Sequence, residues 1–121
     1  MSLRVMTVDD SKTMRDMVSF TLRQAGFTVS EAEDGQKALT ALRGSQADLV
    51  ITDLNMPNMD GLALIRALRN EAKYRTVPIL MLTTEADATK KAEGRNAGAT
   101  GWIVKPFSPE KLIEVVKRVC G

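Results

Sequence analysis

Five short apolar runs recur along the chain at intervals of about two dozen residues, and helical patterns fill the gaps. The runs are LRVMTV from Leu3, FTVSEA from Phe27, DLVITD from Asp48, VPILML from Val77 and TGWIV from Thr100. Strands that alternate with helices are joined by crossovers, and crossovers make neighbouring strands parallel. Stretches such as LVIT and PILML are apolar at successive positions, as expected of strands covered on both faces.

The helical segments carry their own signals. Met14, Met17, Val18, Thr21, Leu22 and Ala25 repeat at three and four residues, and Gly26 follows as a stop. Leu62, Ile65 and Leu68 do the same after Gly61. Ser108, Pro109 and Glu110 supply an N-cap, a first-turn proline and a first-turn acid ahead of Leu112, Val115, Val116 and Val119. A helix is expected from Asp87 to Ala97. Gly94 inside it weakens it by about 1 kcal/mol relative to alanine, which marks it as the mobile element. The fold class is therefore α/β: a single doubly wound (βα)5 domain spanning residues 1–121, flavodoxin-like, with strand order 2-1-3-4-5.

Composition narrows the chemistry. A chain of 121 residues suits one core, and with 44% hydrophobic but only 4% aromatic residues that core is aliphatic. A net charge of +2 without a polybasic block gives no reason to expect a nucleic-acid or membrane partner. There is no histidine, which removes every Ser-His and Cys-His nucleophile and every histidine metal site. Cys120 is the only cysteine and cannot form an internal disulfide. With no leader-like start and no apolar run near the ~20 residues of a membrane span, a soluble, cytoplasmic monomer is expected.

Parallel strands deliver whatever follows them to one edge. Asp9 and Asp10 follow the first strand, Asp53 ends the third, Thr83 follows the fourth and Lys105 the fifth. Open sheets bind ligands beyond the strand carboxyl ends where the strand order reverses, which here lies between strands one and three. Singly, each residue also reads as a cap, a turn or a solvated amine. Together, carboxylates about 5 Å apart repel by roughly 3 kcal/mol at an effective dielectric near 20, so they protonate or hold a cation. A few carboxylates with room for water suit Mg2+ better than Ca2+. An EF-hand reading of Asp53 and Asn55 fails because Asn58 stands where that loop needs glycine and Leu64 where it needs glutamate. With Lys105 and Thr83 nearby, the set fits phosphoryl transfer to a carboxylate, with Asp53 as the acceptor.

The stretches TVDDS, ITDLNMPNMDG, MLTTE and GWIVKPF resemble the receiver domain of two-component response regulators from Leu3 to about Val119. The resemblance implies that Asp53 is the phosphoacceptor and that its donor is a phosphohistidine on a sensor kinase. It also implies that Asp10, Asp53 and the Asn55 carbonyl ligate Mg2+ with Asp9 in the outer shell, and that Thr83 and Lys105 bind the phosphoryl oxygens. A cis peptide is expected before Pro106. Asn55, Thr84 and Glu85 stand where the family tunes phosphorylation lifetime or switching. Trp102 stands where the family commonly has tyrosine or phenylalanine, and with Thr83 it forms the expected switch pair.

TVDDSKTMRDM and NMPNMDG are similar to the stand-alone chemotaxis regulators. That implies a chemotaxis-type histidine kinase as donor and the flagellar motor switch as target, through a face bearing Lys90, Lys91, Arg95 and Trp102. A phosphorelay intermediate serving a histidine phosphotransfer protein is the alternative. An aspartyl phosphatase needs an acid two residues after the first, where this chain has Ser11. A flavodoxin-like cofactor site is disfavoured because the Asp9–Asp10 pair repels a phosphate.

Overall fold

A computed structural model describes residues 3–84 and 88–120. The elements run β1 (Arg4–Val8), α1 (Lys12–Gln24), β2 (Thr28–Ala32), α2 (Gly35–Arg43), β3 (Leu49–Asp53), α3 (Gly61–Arg69), β4 (Ile79–Thr83), α4 (Ala88–Ala97), β5 (Gly101–Val104) and α5 (Pro109–Cys120), with a 3-10 turn at Ala72–Tyr74 before β4. All strand pairs are parallel and the order is β2-β1-β3-β4-β5, as the sequence predicts. Each strand begins one or two residues later than its apolar run. At β4 the cause is plain, since Pro78 lacks the N–H that a ladder position needs and instead lends its carbonyl to the Val50 N–H.

Alternation along the strands sorts side chains to two cores. Val5, Leu49, Ile51, Leu80, Leu82 and Ile103 pack under α1 and α5 with Val18, Leu22, Leu112 and Val116. Met6, Val8, Val50, Ile79 and Met81 face the other way, against Ala38, Leu42, Leu64, Ile65 and Leu68 of α2 and α3 and Ala97 of α4. The central strands β3 and β4 are buried at every position, which is why their sequences show no polar alternation.

Several sequence signals acquire definite partners. The Ser11, Asp34 and Asp60 side chains cap α1, α2 and α3, and the Ser108 hydroxyl accepts the Lys111 N–H at the start of α5. Gly94 is explained by packing more than by weakness, because a Cβ there would lie 2.1 Å from the Sδ of buried Met81. Position 87, the expected first residue of the fourth helix, and Glu85 lie outside the described residues. Among the described residues no helix is long and apolar enough to cross a membrane.

Candidate functional site

Strand register assembles the site. Val8 of β1 pairs with Thr52 of β3, so the next residues, Asp9 and Asp53, stand side by side at the carboxyl edge of the sheet. Asp53 pairs with Leu82, which sets Thr83 one position beyond it on β4. Thr83 in turn pairs with Val104, and Lys105 follows. The Lys105 N–H donates to the Thr83 carbonyl at 2.6 Å, and the Lys105–Pro106 peptide is cis, as expected.

One carboxylate oxygen from each of Asp9, Asp10 and Asp53 falls within 4.8 Å of the others. Asp53 is 9% exposed; its Oδ1 accepts the Leu54 N–H at 2.9 Å and a hydrogen bond from Lys105 Nζ at 3.2 Å. Asp9 is 1% exposed. Its Oδ1 accepts the Ser11 N–H at 2.9 Å, while its buried Oδ2 has no hydrogen-bond partner among the described residues and forms an ion pair with Lys105 at 3.5 Å. Burial pushes the Asp9 carboxyl above its usual range, and the charges of Asp53 and Asp10 push the same way, against the Ser11 N–H and Lys105. Asp10 is exposed. An all-oxygen donor set with one buried oxygen lacking a hydrogen bond fits a hard divalent cation.

A cavity of about 210 Å³ opens beside Asp53, lined also by Asn55, Thr83, Thr84 and Lys90. The structure divides the basic group that the sequence placed together on the fourth helix. Lys90 faces this cavity, whereas Lys91 and Arg95 lie over the half-buried Trp102 ring, 5.0 and 5.7 Å from its centroid. Lys105 and Thr83 stand where the sequence reading requires them, next to Asp53. Asp34 and Asn58 meet beside the site, a contact that the sequence pattern does not show. Asp34 is buried and hydrogen-bonded to the segment after Asp53, and its only sequence trace is an acid before a glycine, which reads as an ordinary helix start.

Residues 5–117 match the family described as the response regulator receiver domain. The chemotaxis protein CheY of Pseudomonas aeruginosa is 39% identical over 118 residues, covering 97% of this chain and 95% of that protein. Among solved structures, the chemotaxis response regulator CheY4 of Vibrio cholerae superposes with a TM-score of 0.95 at 47% identity, covering 98% of this chain and 99% of that one. The receiver domain of a sensor histidine kinase from Pseudomonas aeruginosa, described with a magnesium ion coordinated in its active site cleft, covers 100% of this chain and 99% of its own at TM-score 0.92 and 26% identity. A five-stranded parallel sheet with an acid cluster and a lysine at its carboxyl edge fits the receiver class of signalling domain. This chain belongs to the response regulator receiver domains, and among them it is CheY-like.

Proposed function

We propose that residues 1–121 act as one cytoplasmic receiver domain that accepts a phosphoryl group on Asp53 from a chemotaxis-type histidine kinase and signals by contact with the flagellar motor switch. An Asp53 carboxylate oxygen attacks the phosphorus of phosphohistidine. The P–N bond breaks, its electron pair stays on the imidazole nitrogen, and a mixed anhydride forms on Asp53. Lys105 Nζ, already hydrogen-bonded to Asp53 Oδ1 at 3.2 Å, holds the incoming phosphoryl oxygens, and the Thr83 hydroxyl donates to another. The Asp10 and Asp53 carboxylates and the Asn55 carbonyl would hold Mg2+, with Asp9 behind them. When bound, the ion neutralises charge on the transferring group.

The output is a shift between two arrangements. Thr83 moves toward the phosphoryl group, and Trp102, two residues earlier on the neighbouring strand than Thr83's partner Val104, shifts with it. The Lys91 and Arg95 contacts carry that change into α4. Moving such a balance from 1:99 to 99:1 takes about 5.5 kcal/mol of differential interaction. Thr84, which lines the cavity, crowds the path of the switch hydroxyl beside it, and Asn55 on the loop stands where a side chain tunes how long the phosphoryl group survives.

The convergence of three carboxylates on one cluster with the Lys105 ammonium against two of them carries this reading. Incubation with acetyl phosphate tests it. One base-labile phosphoryl adduct is expected with Mg2+, lost on removal of the metal and in Asp53→Asn. Continuing hydrolysis of unrelated phosphoesters, or an adduct that survives Asp53→Asn, contradicts it.

A further inference from the structure

The segment between Asp53 and α3 is gripped from outside. At its mouth the Gly61 N–H donates to the Leu54 carbonyl at 2.9 Å, which closes residues 54–61 into a loop. At its far side Asn58 has a left-handed backbone with φ of 67°, and its Nδ2 donates to Asp34 Oδ2 at 3.0 Å. The next residue is held as well, because the Gly35 N–H donates to the Met59 carbonyl at 3.2 Å. A Cβ at position 35 would lie 2.4 Å from that carbonyl oxygen, so only glycine admits the approach. Asp34 itself is 3% exposed, and its other oxygen, Oδ1, caps α2 by accepting the Lys37 N–H at 2.8 Å. Asn55 therefore lies between two pins, one at the loop's mouth and one on the β2–α2 connection.

We propose that Asp34 is a positioning residue for the cation site: its bond to Asn58 fixes the course of residues 54–61 and thereby the placement of Asn55. The inference rests on the reading that Asn55 helps to hold Mg2+. A carboxylate with both oxygens engaged, one on its own helix and one on the loop, couples the start of α2 to the metal loop through a single rigid group. An asparagine at position 34 would keep the helix cap, since asparagine caps as well as aspartate does. It would also force the Asn58 amide to turn its oxygen toward position 34, exchanging a charge-assisted bond for a weaker neutral one, so a role limited to capping and a role in loop placement give different results.

The test is a titration with MgCl2 followed by 1H–15N chemical shifts, which also report folding. Asp34→Asn is expected to weaken Mg2+ binding by roughly 3- to 10-fold, the scale of one hydrogen bond. Asn58→Gly, which leaves the α2 cap and the Asp34 charge in place, is expected to weaken it similarly. The exchanged pair Asp34→Asn with Asn58→Asp restores a donor and an acceptor at unchanged net charge, and is expected to return to within about twofold of the wild type. Binding in Asp34→Asn or Asn58→Gly indistinguishable from the wild type overturns the inference, as does an exchanged pair no better than Asp34→Asn alone. A wild-type protein that shows no Mg2+ shifts overturns the cation site itself, and this inference with it.

Discussion

Helices α4 and α5 flank the same edge strand and are held in opposite ways. α5 buries Leu112, Val115 and Val116 completely or nearly so against the β3–β4–β5 face, and Ser108 caps it. Among the described residues of α4, Gly94 and Ala97 are buried, and its ties include Lys91 and Arg95 over Trp102 and Arg69 Nε donating to the Gly98 carbonyl just past its end at 2.9 Å. A helix that buries small residues gains little from leaving water, since each buried methylene contributes about 0.8 kcal/mol. α5 is therefore part of the frame, and α4 is the more weakly held of the two.

The largest contrast should come from truncating each helix at its most buried apolar position. Leu112→Ala in α5 is expected to destabilise by about 3 kcal/mol in urea unfolding, against about 1 kcal/mol for Ala97→Gly in α4. Equal losses would erase the distinction. Gly94→Ala sharpens it. The gain in helix propensity, about 1 kcal/mol, is opposed by overpacking against Met81 of about 1–3 kcal/mol, so a net loss near 1 kcal/mol is expected. In a Met81→Ala background the same substitution should instead stabilise.

Removing Lys91 and Arg95 together with alanines takes both cations from the Trp102 ring at about 0.5–1 kcal/mol each, partly offset by alanine's helix preference. Global stability should hold within about 1 kcal/mol while α4 amides exchange roughly two- to fivefold faster and α5 amides do not. Acid provides a control that touches neither helix. The Lys37 N–H and Asn58 hold the Asp34 carboxyl below its usual value, so its contribution is present above pH 3.8 and is lost as pH falls through the lower folded value. Unfolding followed from pH 5 to 3 should show this loss in the wild type and a flatter profile in Asp34→Asn.

The fold was legible because strand and helix periods alternate cleanly, and the meeting of the candidate site residues was legible because a parallel sheet carries every strand's end to one edge. That rule alone brings Asp9, Asp10, Asp53, Thr83 and Lys105 together. The Asp34–Asn58 bond was not legible, since it joins side chains 24 positions apart and leaves no periodic trace. Tyr74 was missed for the same reason. It is fully buried, and its hydroxyl lies 2.6 and 3.0 Å from the Leu42 and Ser45 carbonyls, to which it offers its one proton, a link visible only after folding. The separation of Lys90 from Lys91 and Arg95 follows from helix geometry, in which adjacent residues do not share a face. Reading the three as one charge group concealed it.

Peptide-resolved hydrogen exchange with and without acetyl phosphate and Mg2+ tests most directly whether modification at Asp53 is read out through α4. Exchange should change over residues 88–104 and stay constant over Leu112–Val119, with no change anywhere in Asp53→Asn. Exchange that leaves residues 88–104 untouched when Asp53 is modified, or that shifts equally in Asp53→Asn, would contradict a switch built on this site.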